Sequence, residues 1–143
     1  MRAIKLLAMT MMMLSFSGCA LFSSTPHANI TLQSARYLNP DINGRASPVV
    51  ITFYQLKNDY TFKQADSTSL MANSAQILGN DLIDKNTIEV RPNATQTIKQ
   101  DLDPAAQYLG IVAAYRNSTT ESWHKVLKLD TKHGKRADIT ISL

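Results

Sequence analysis

The chain has a single cysteine, and its position limits what the rest of the sequence can be. Cys19 follows Phe16-Ser17-Gly18 at the end of an apolar stretch, Leu6 to Phe16, that is headed by the cations Arg2 and Lys5. The stretch is too short to cross a bilayer as a helix and has the build of a secretory signal. Small residues at 17 and 18 suit a narrow peptidase site, and the thiol directly after them is the group that lipoprotein processing alkylates with diacylglyceryl. Residues 1–18 are therefore expected to be a cleaved lipoprotein signal peptide, with Cys19 as the lipidation site. Once Cys19 carries lipid, no thiol is left for a disulfide, a nucleophile or a metal site. The fold must stand on its apolar core, for which the chain, 44% hydrophobic and 18% charged, has the composition of one soluble domain.

A lipid on Cys19 makes the expected location a membrane surface. Bacterial lipoproteins kept at the inner membrane usually carry Asp after the cysteine; this chain has Ala20, so the expected address is the outer membrane. Residues 19–28 read as a lipidated tether of small and polar residues around Pro26, roughly 15 Å coiled and under about 30 Å stretched. The formal net charge is +4, but Arg2 and Lys5 belong to the leader, so the mature chain is closer to neutral and gives no argument for nucleic acid.

Residues 29–143 read as a β-sandwich. Ile30 to Tyr37 begins with the alternation of a half-buried strand, and Val49 to Leu56, Val-Val-Ile-Thr-Phe-Tyr-Gln-Leu, is β-branched, aromatic and apolar on both faces, as in a central strand. Asp66-Ser67-Thr68-Ser69 is a cluster of helix-capping residues. Leu70, Met71, Ser74, Ala75 and Leu78 follow at helical spacing, and Gly79 stands where a helix would stop. Further strands are predicted at Thr87–Val90, Thr95–Leu102, Tyr108–Arg116, Trp123–Leu129 and Ala137–Leu143. Short strands at this spacing with one helical insertion predict an all-β, antiparallel two-sheet sandwich.

Residues that carry catalysis are hard to find. His27, His124 and His133 have no second ligand at metal spacing, and Asp101 and Asp103 precede Pro104 in a turn-like context. No phosphate-binding glycine loop or nucleophile elbow is present. No enzyme activity, metal or cofactor is expected beyond the covalent lipid on Cys19. Asn93-Ala94-Thr95 and Asn117-Ser118-Thr119 match the glycosylation sequon, which has no bearing in a bacterial lipoprotein. Lys125, Lys128, Lys132, His133, Lys135 and Arg136 make the last hairpin basic, which acidic lipid or a polyanionic wall polymer could use, but with Asp130 and Asp138 nearby the favoured reading is a solvated hairpin rim.

The segment Leu38, Asn39, Pro40, Asp41, Ile42, Asn43, Gly44, Arg45, Ala46, Ser47, Pro48 is rich in prolines and turn formers, so neither helix nor ladder runs through it. It is long for a hairpin connection, and loops on a rigid sandwich are where binding surfaces are usually displayed. Composition alone leaves binding loop and plain connector both open.

The ordered set of stretches resembles the TssJ (SciN) family of type VI secretion outer-membrane lipoproteins. The set runs from the lipobox through Leu38-Asn39-Pro40-Asp41, Gly44-Arg45-Ala46-Ser47-Pro48-Val49-Val50 and Phe53-Tyr54-Gln55-Leu56-Lys57. It continues with Phe62, Ala65-Asp66, Leu78-Gly79-Asn80-Asp81-Leu82, Tyr108 to Arg116 and Trp123. Phe16 and Ala46 depart from the family's more usual residues. The resemblance implies a transthyretin-like sandwich tethered to the inner leaflet of the outer membrane of a Gram-negative bacterium and facing the periplasm. It implies as partner the periplasmic C-terminal domain of TssM, and through it TssL, with docking by the loop Leu38 to Pro48. In such a contact Asn39, Asp41, Asn43 and Arg45 would hydrogen-bond or pair with the partner, and Pro40, Ile42 and Pro48 would shape and fill it. The alternative class is a periplasmic ligand carrier or peptidoglycan-binding module.

Overall fold

A computed structural model describes residues 25–116, 124–129 and 136–143. Seven strands are found among them: β1 His27–Gln33, β2 Val49–Leu56, β3 Leu82–Val90, β4 Thr95–Asp101, β5 Tyr108–Ala114, β6 His124–Lys128 and β7 Arg136–Ser142. They form a three-stranded sheet in the order β4-β1-β7 and a four-stranded sheet in the order β3-β2-β5-β6. Two helices, α1 Tyr60–Gln64 and α2 Ser67–Leu78, lie between β2 and β3, followed by a short 3-10 turn, Gly79–Asp81. The two-sheet sandwich is the architecture expected from the strand pattern.

The core follows from alternation along each strand. Ala28, Ile30 and Leu32 of β1 face Val49, Ile51 and Phe53 of β2 and Leu109, Ile111 and Ala113 of β5 in one buried cluster. The other face of the four-stranded sheet is buried as well. Tyr54, Leu56 and Val112 pack there against Phe62 of α1 and Leu70 and Leu78 of α2. This explains why β2 is apolar on both faces: it is central in its sheet and covered on both sides. Gly110 is required at the helix contact, because a Cβ there would stand 2.6 Å from Phe62 Cζ. The Phe62 ring also meets Tyr54 at 5.5 Å and the His124 ring edge-on at 5.1 Å, so His124 is a packing residue.

Helix α2 keeps to its sequence signals at both ends and kinks between them at Asn73, whose φ −139° and ψ 41° are not helical. Asp66 caps it, its side chain accepting from the Ser69 N–H at 2.9 Å, and Gly79 ends it at φ 51°. Elsewhere the structure differs from the expected spans. β1 starts at His27 and ends at Gln33, so His27 and Ala28, assigned to the tether, already pair with β4. β3 starts at Leu82 rather than Thr87, because pairing with β2 sustains a largely exposed, polar first half. Helix α1 was not expected. The sheets are not wholly antiparallel either: β1 and β7 run parallel, with Ile30 opposite Ile139 and Leu32 opposite Ile141. The first and last strands of the domain thus close the three-stranded sheet side by side. Cys19, most of the tether, Asn117 to Thr119, Trp123, Lys132, His133 and Lys135 lie outside the described residues.

Candidate functional site: the β1–β2 loop

The connection from β1 to β2 is a built loop with a buried root and an exposed tip. Its root is Leu38, Asn39 and Ser47, which are buried, and Leu38 belongs to the main core. Ser47 N–H donates to the Leu38 carbonyl at 2.9 Å and closes the root across the loop's neck. Asn39 ties this neck to the sheet. Its Nδ2 donates to the Pro48 carbonyl at 2.7 Å, and its Oδ1 accepts from the Arg116 N–H at 2.8 Å, just past β5. The geometry needs a left-handed backbone at Asn39, φ 46°, which asparagine tolerates better than most residues.

The tip is organised around one carboxylate. Asp41 Oδ1 accepts from the N–H of Asn43 at 2.8 Å and of Arg45 at 2.9 Å, and Oδ2 accepts from Arg45 Nε at 3.0 Å. The main chain closes the same ring, with Asp41 N–H to the Arg45 carbonyl at 2.8 Å and Gly44 N–H to the Asp41 carbonyl at 2.9 Å. Gly44 sits at φ 74°, a left-handed turn that favours glycine. The Arg45 N–H holds the Asp41 carboxyl below its usual value of 3.8 against the effect of burial. The Asn43 N–H, the Arg45 guanidinium and the charge of Arg116 add to this. The carboxylate is therefore ionised whenever the loop is formed near neutral pH.

At the apex the ring presents Ile42 with 101% of its surface open to water, unusual for an isoleucine. Pro40, Asn43, Arg45, Ala46 and Pro48 are exposed around it. Tyr37, 71% exposed, stands at the loop's entry with the Arg36 guanidinium 5.9 Å over its ring. Of the side chains expected to meet a partner, Asn39 and Asp41 turn inward and shape the loop. Ile42, Asn43 and Arg45 face outward, and the Arg45 side chain, 76% exposed, keeps donors to spare. Ser47 belongs to the root. Asn39 could be recognised as a clamp only by knowing that Arg116 lies beside it, a contact 77 positions away in the chain.

The other candidate residues fall elsewhere. Asp103 accepts from the Ala105 N–H at 2.7 Å in a turn, as its context predicts, and Asp101 ends β4. Asn93 turns the β3–β4 connection at φ 53°. Among the described residues no group of three or more His, Cys, Asp or Glu is placed to hold a metal, and no helix is long and apolar enough to cross a membrane. Lys125 and Lys128 are exposed on β6.

Comparisons with known proteins show what the whole chain is similar to. The family model T6SS-SciN, described as type VI secretion lipoprotein, VasD, EvfM, TssJ, VC_A0113, matches residues 26–143. No curated protein matches. Among solved structures, the chain is similar to the T6SS lipoprotein TssJ1 from Pseudomonas aeruginosa at 33% identity and TM-score 0.76, covering 83% of this chain and 89% of that one. It is also similar to Serratia marcescens Lip, a membrane-bound component of the type VI secretion system, at 23% identity and TM-score 0.75, covering 83% and 92%. A third match is a chain in a structure described as T6SS protein TssM C-terminal domain (869-1107) from EAEC, at 23% identity and TM-score 0.65, covering 81% and 91%.

Proposed function

The chain belongs to the type VI secretion lipoprotein family, and from that premise we propose that it is the outer-membrane lipoprotein of a type VI secretion membrane complex. In this reading it docks the periplasmic C-terminal domain of TssM, and through it TssL, by the loop of residues 38–48. Lipid on Cys19 holds it to the inner leaflet, the sandwich acts as a rigid spacer, and no bond is made or broken.

One observation carries the docking assignment: an isoleucine fully exposed at the apex of a loop whose every turn is fixed from within. Exposing Ile42 is unfavourable for the isolated chain, and fixing the loop beforehand lowers the ordering entropy lost on capture. Both features are understandable if a partner covers the tip. The EAEC match adds support. A chain of this fold, covered to 91% with 81% of this one, occurs in a structure described as the TssM C-terminal domain.

The experiment is co-elution of the lipoprotein with the TssM C-terminal domain of the same genome, with Ile42→Asp beside the unchanged chain. Ile42 touches little of its own domain, so the variant should fold as before and lose the partner. A variant that still co-elutes at the same ratio would remove the tip from the interface.

A further inference from the structure

We propose that the slot between the edges of β6 and β7 that no described strand covers is a strand-addition site, which takes an extended acidic segment of a protein partner onto β7. It shares no residue with the loop of residues 38–48 and stands or fails independently of it.

The two open sides of the sandwich are unlike each other. On the β3/β4 side the sheets are stitched together: Asn86 Nδ2 of β3 donates to Gln100 Oε1 of β4 at 2.9 Å, and Gln55 Nε2 of β2 donates to the Asp101 carbonyl at 2.9 Å. On the β6/β7 side no such bond is found among the described residues. A cavity of about 630 Å³ lies there instead, with Ile111, Leu127, Ile139 and Ile141 among its walls. Both strands are the last of their sheets, so each has an edge that no described strand covers.

The lining identifies what fits. Ala137, Ile139 and Ile141 of β7 border the cavity, and so do Asp138, Thr140 and Ser142, which alternate with them. Successive side chains of a strand point to opposite faces. All six can border one space only if the strand's own edge, with its N–H and C=O groups, faces that space. The slot therefore offers apolar side chains together with a row of main-chain groups, which is what an added strand uses. An acyl chain would meet the apolar wall and leave the row without partners, so the lining favours peptide over lipid.

Charge narrows the choice further. The β5–β6 register sets Lys125 opposite Ile111, on the inner side of β6, and Lys125 and Lys128 both line the slot, whose one carboxylate, Asp138, is already engaged by Asn29 Nδ2 at 2.9 Å. Neither lysine makes an ion pair among the described residues. A lysine turned inward on an edge strand deters indiscriminate pairing. It also selects: a segment bringing a carboxylate neutralises it, whereas a neutral segment leaves it partly desolvated and unpaired. A second copy of this chain would bring its own two lysines to the same place. The occupant is accordingly acidic, extended and from a different protein.

The test uses the full-length lipidated protein in detergent micelles. The probes are fluorescent eight-residue peptides alternating Val and Thr, with two Glu, two Gln or two Lys at the central Thr positions. Binding is read by anisotropy and located by amide hydrogen exchange. The Glu peptide should bind saturably, ahead of the Gln and Lys peptides, and slow exchange across residues 136–142. Lys125→Glu should weaken the Glu peptide about tenfold and favour the Lys peptide, with Lys125→Gln between them. Lys125 is exposed, so neither variant should alter the fold. The proposal is overturned if the Glu peptide fails to saturate, if protection falls away from β6 and β7, or if charge reversal changes nothing. It is equally overturned if palmitate displaces the peptide and alone protects the slot, or if concentrating the protein alone protects β7 by self-association.

Discussion

Replacing Asn39 separates the loop's architecture from its surface. The side chain is 6% exposed and holds two main-chain groups, the Pro48 carbonyl at 2.7 Å and the Arg116 N–H at 2.8 Å. Asn39→Ala removes both partners at once, and a polar group left unsatisfied in a buried place costs about 1–3 kcal/mol. Water can reach the loop's margin, which puts the two together at about 2–4 kcal/mol. Alanine must also adopt φ 46°, adding about 1 kcal/mol that glycine does not incur. The expected order of stability is therefore wild type, then Asn39→Gly lower by about 2–4 kcal/mol, then Asn39→Ala lower by about 1 kcal/mol more. Urea unfolding followed by circular dichroism reads the three midpoints at constant slope. An alanine variant within about 0.5 kcal/mol of wild type would show that the clamp carries no stability. A glycine variant less stable than the alanine one would show that the left-handed backbone is not part of the cost.

Gly110→Ala should destabilise by about 1–3 kcal/mol, since its Cβ would lie 2.6 Å from Phe62 Cζ, and Phe62→Leu in the same chain should recover part of the loss in thermal melts. Asp41 gives a pH signature. Its folded carboxyl lies below the ordinary 3.8, so its contribution is present above that value and is lost as pH falls through the lowered one. The stability difference between wild type and Asp41→Asn should thus be full at neutral pH and shrink under acid; a difference independent of pH would refute the clamp. Tyr54→Phe removes the 3.3 Å hydrogen bond to the Leu70 carbonyl beneath α2 and should cost about 1 kcal/mol in the same unfolding assay.

The elements that could be read from the sequence are those whose causes are local. β2 declares itself because it is buried on both faces, and α2 because its cap, apolar spacing and terminal glycine sit within a few residues of one another. Helix α1 spans five residues with no side-chain cap hydrogen bond, too little for a periodic signal, and it forms because Phe62 fills the space over Gly110. The early start of β3 and the parallel β1–β7 pair depend on partners far along the chain, which no local pattern records. The loop divides in the same way. Its two prolines and Asn-Gly pair announce an irregular connection. That Asn39 and Asp41 face inward, and leave Ile42 as the exposed apex, depends on Arg116 and on hydrogen bonds that only the folded chain assembles.

The most direct measurement is a calorimetric titration of the lipoprotein into the periplasmic C-terminal domain of TssM from the same genome. It should be run with the unchanged chain and with residues 40–46 replaced by a Gly-Ser linker. Leu38, Asn39 and Ser47 stay in place so that the buried root is preserved. Saturable heat at a defined ratio for the unchanged chain, and none for a folded linker variant, is the predicted result. Equal binding by both chains, or no binding by either at high concentration with well-folded proteins, would contradict docking through this loop.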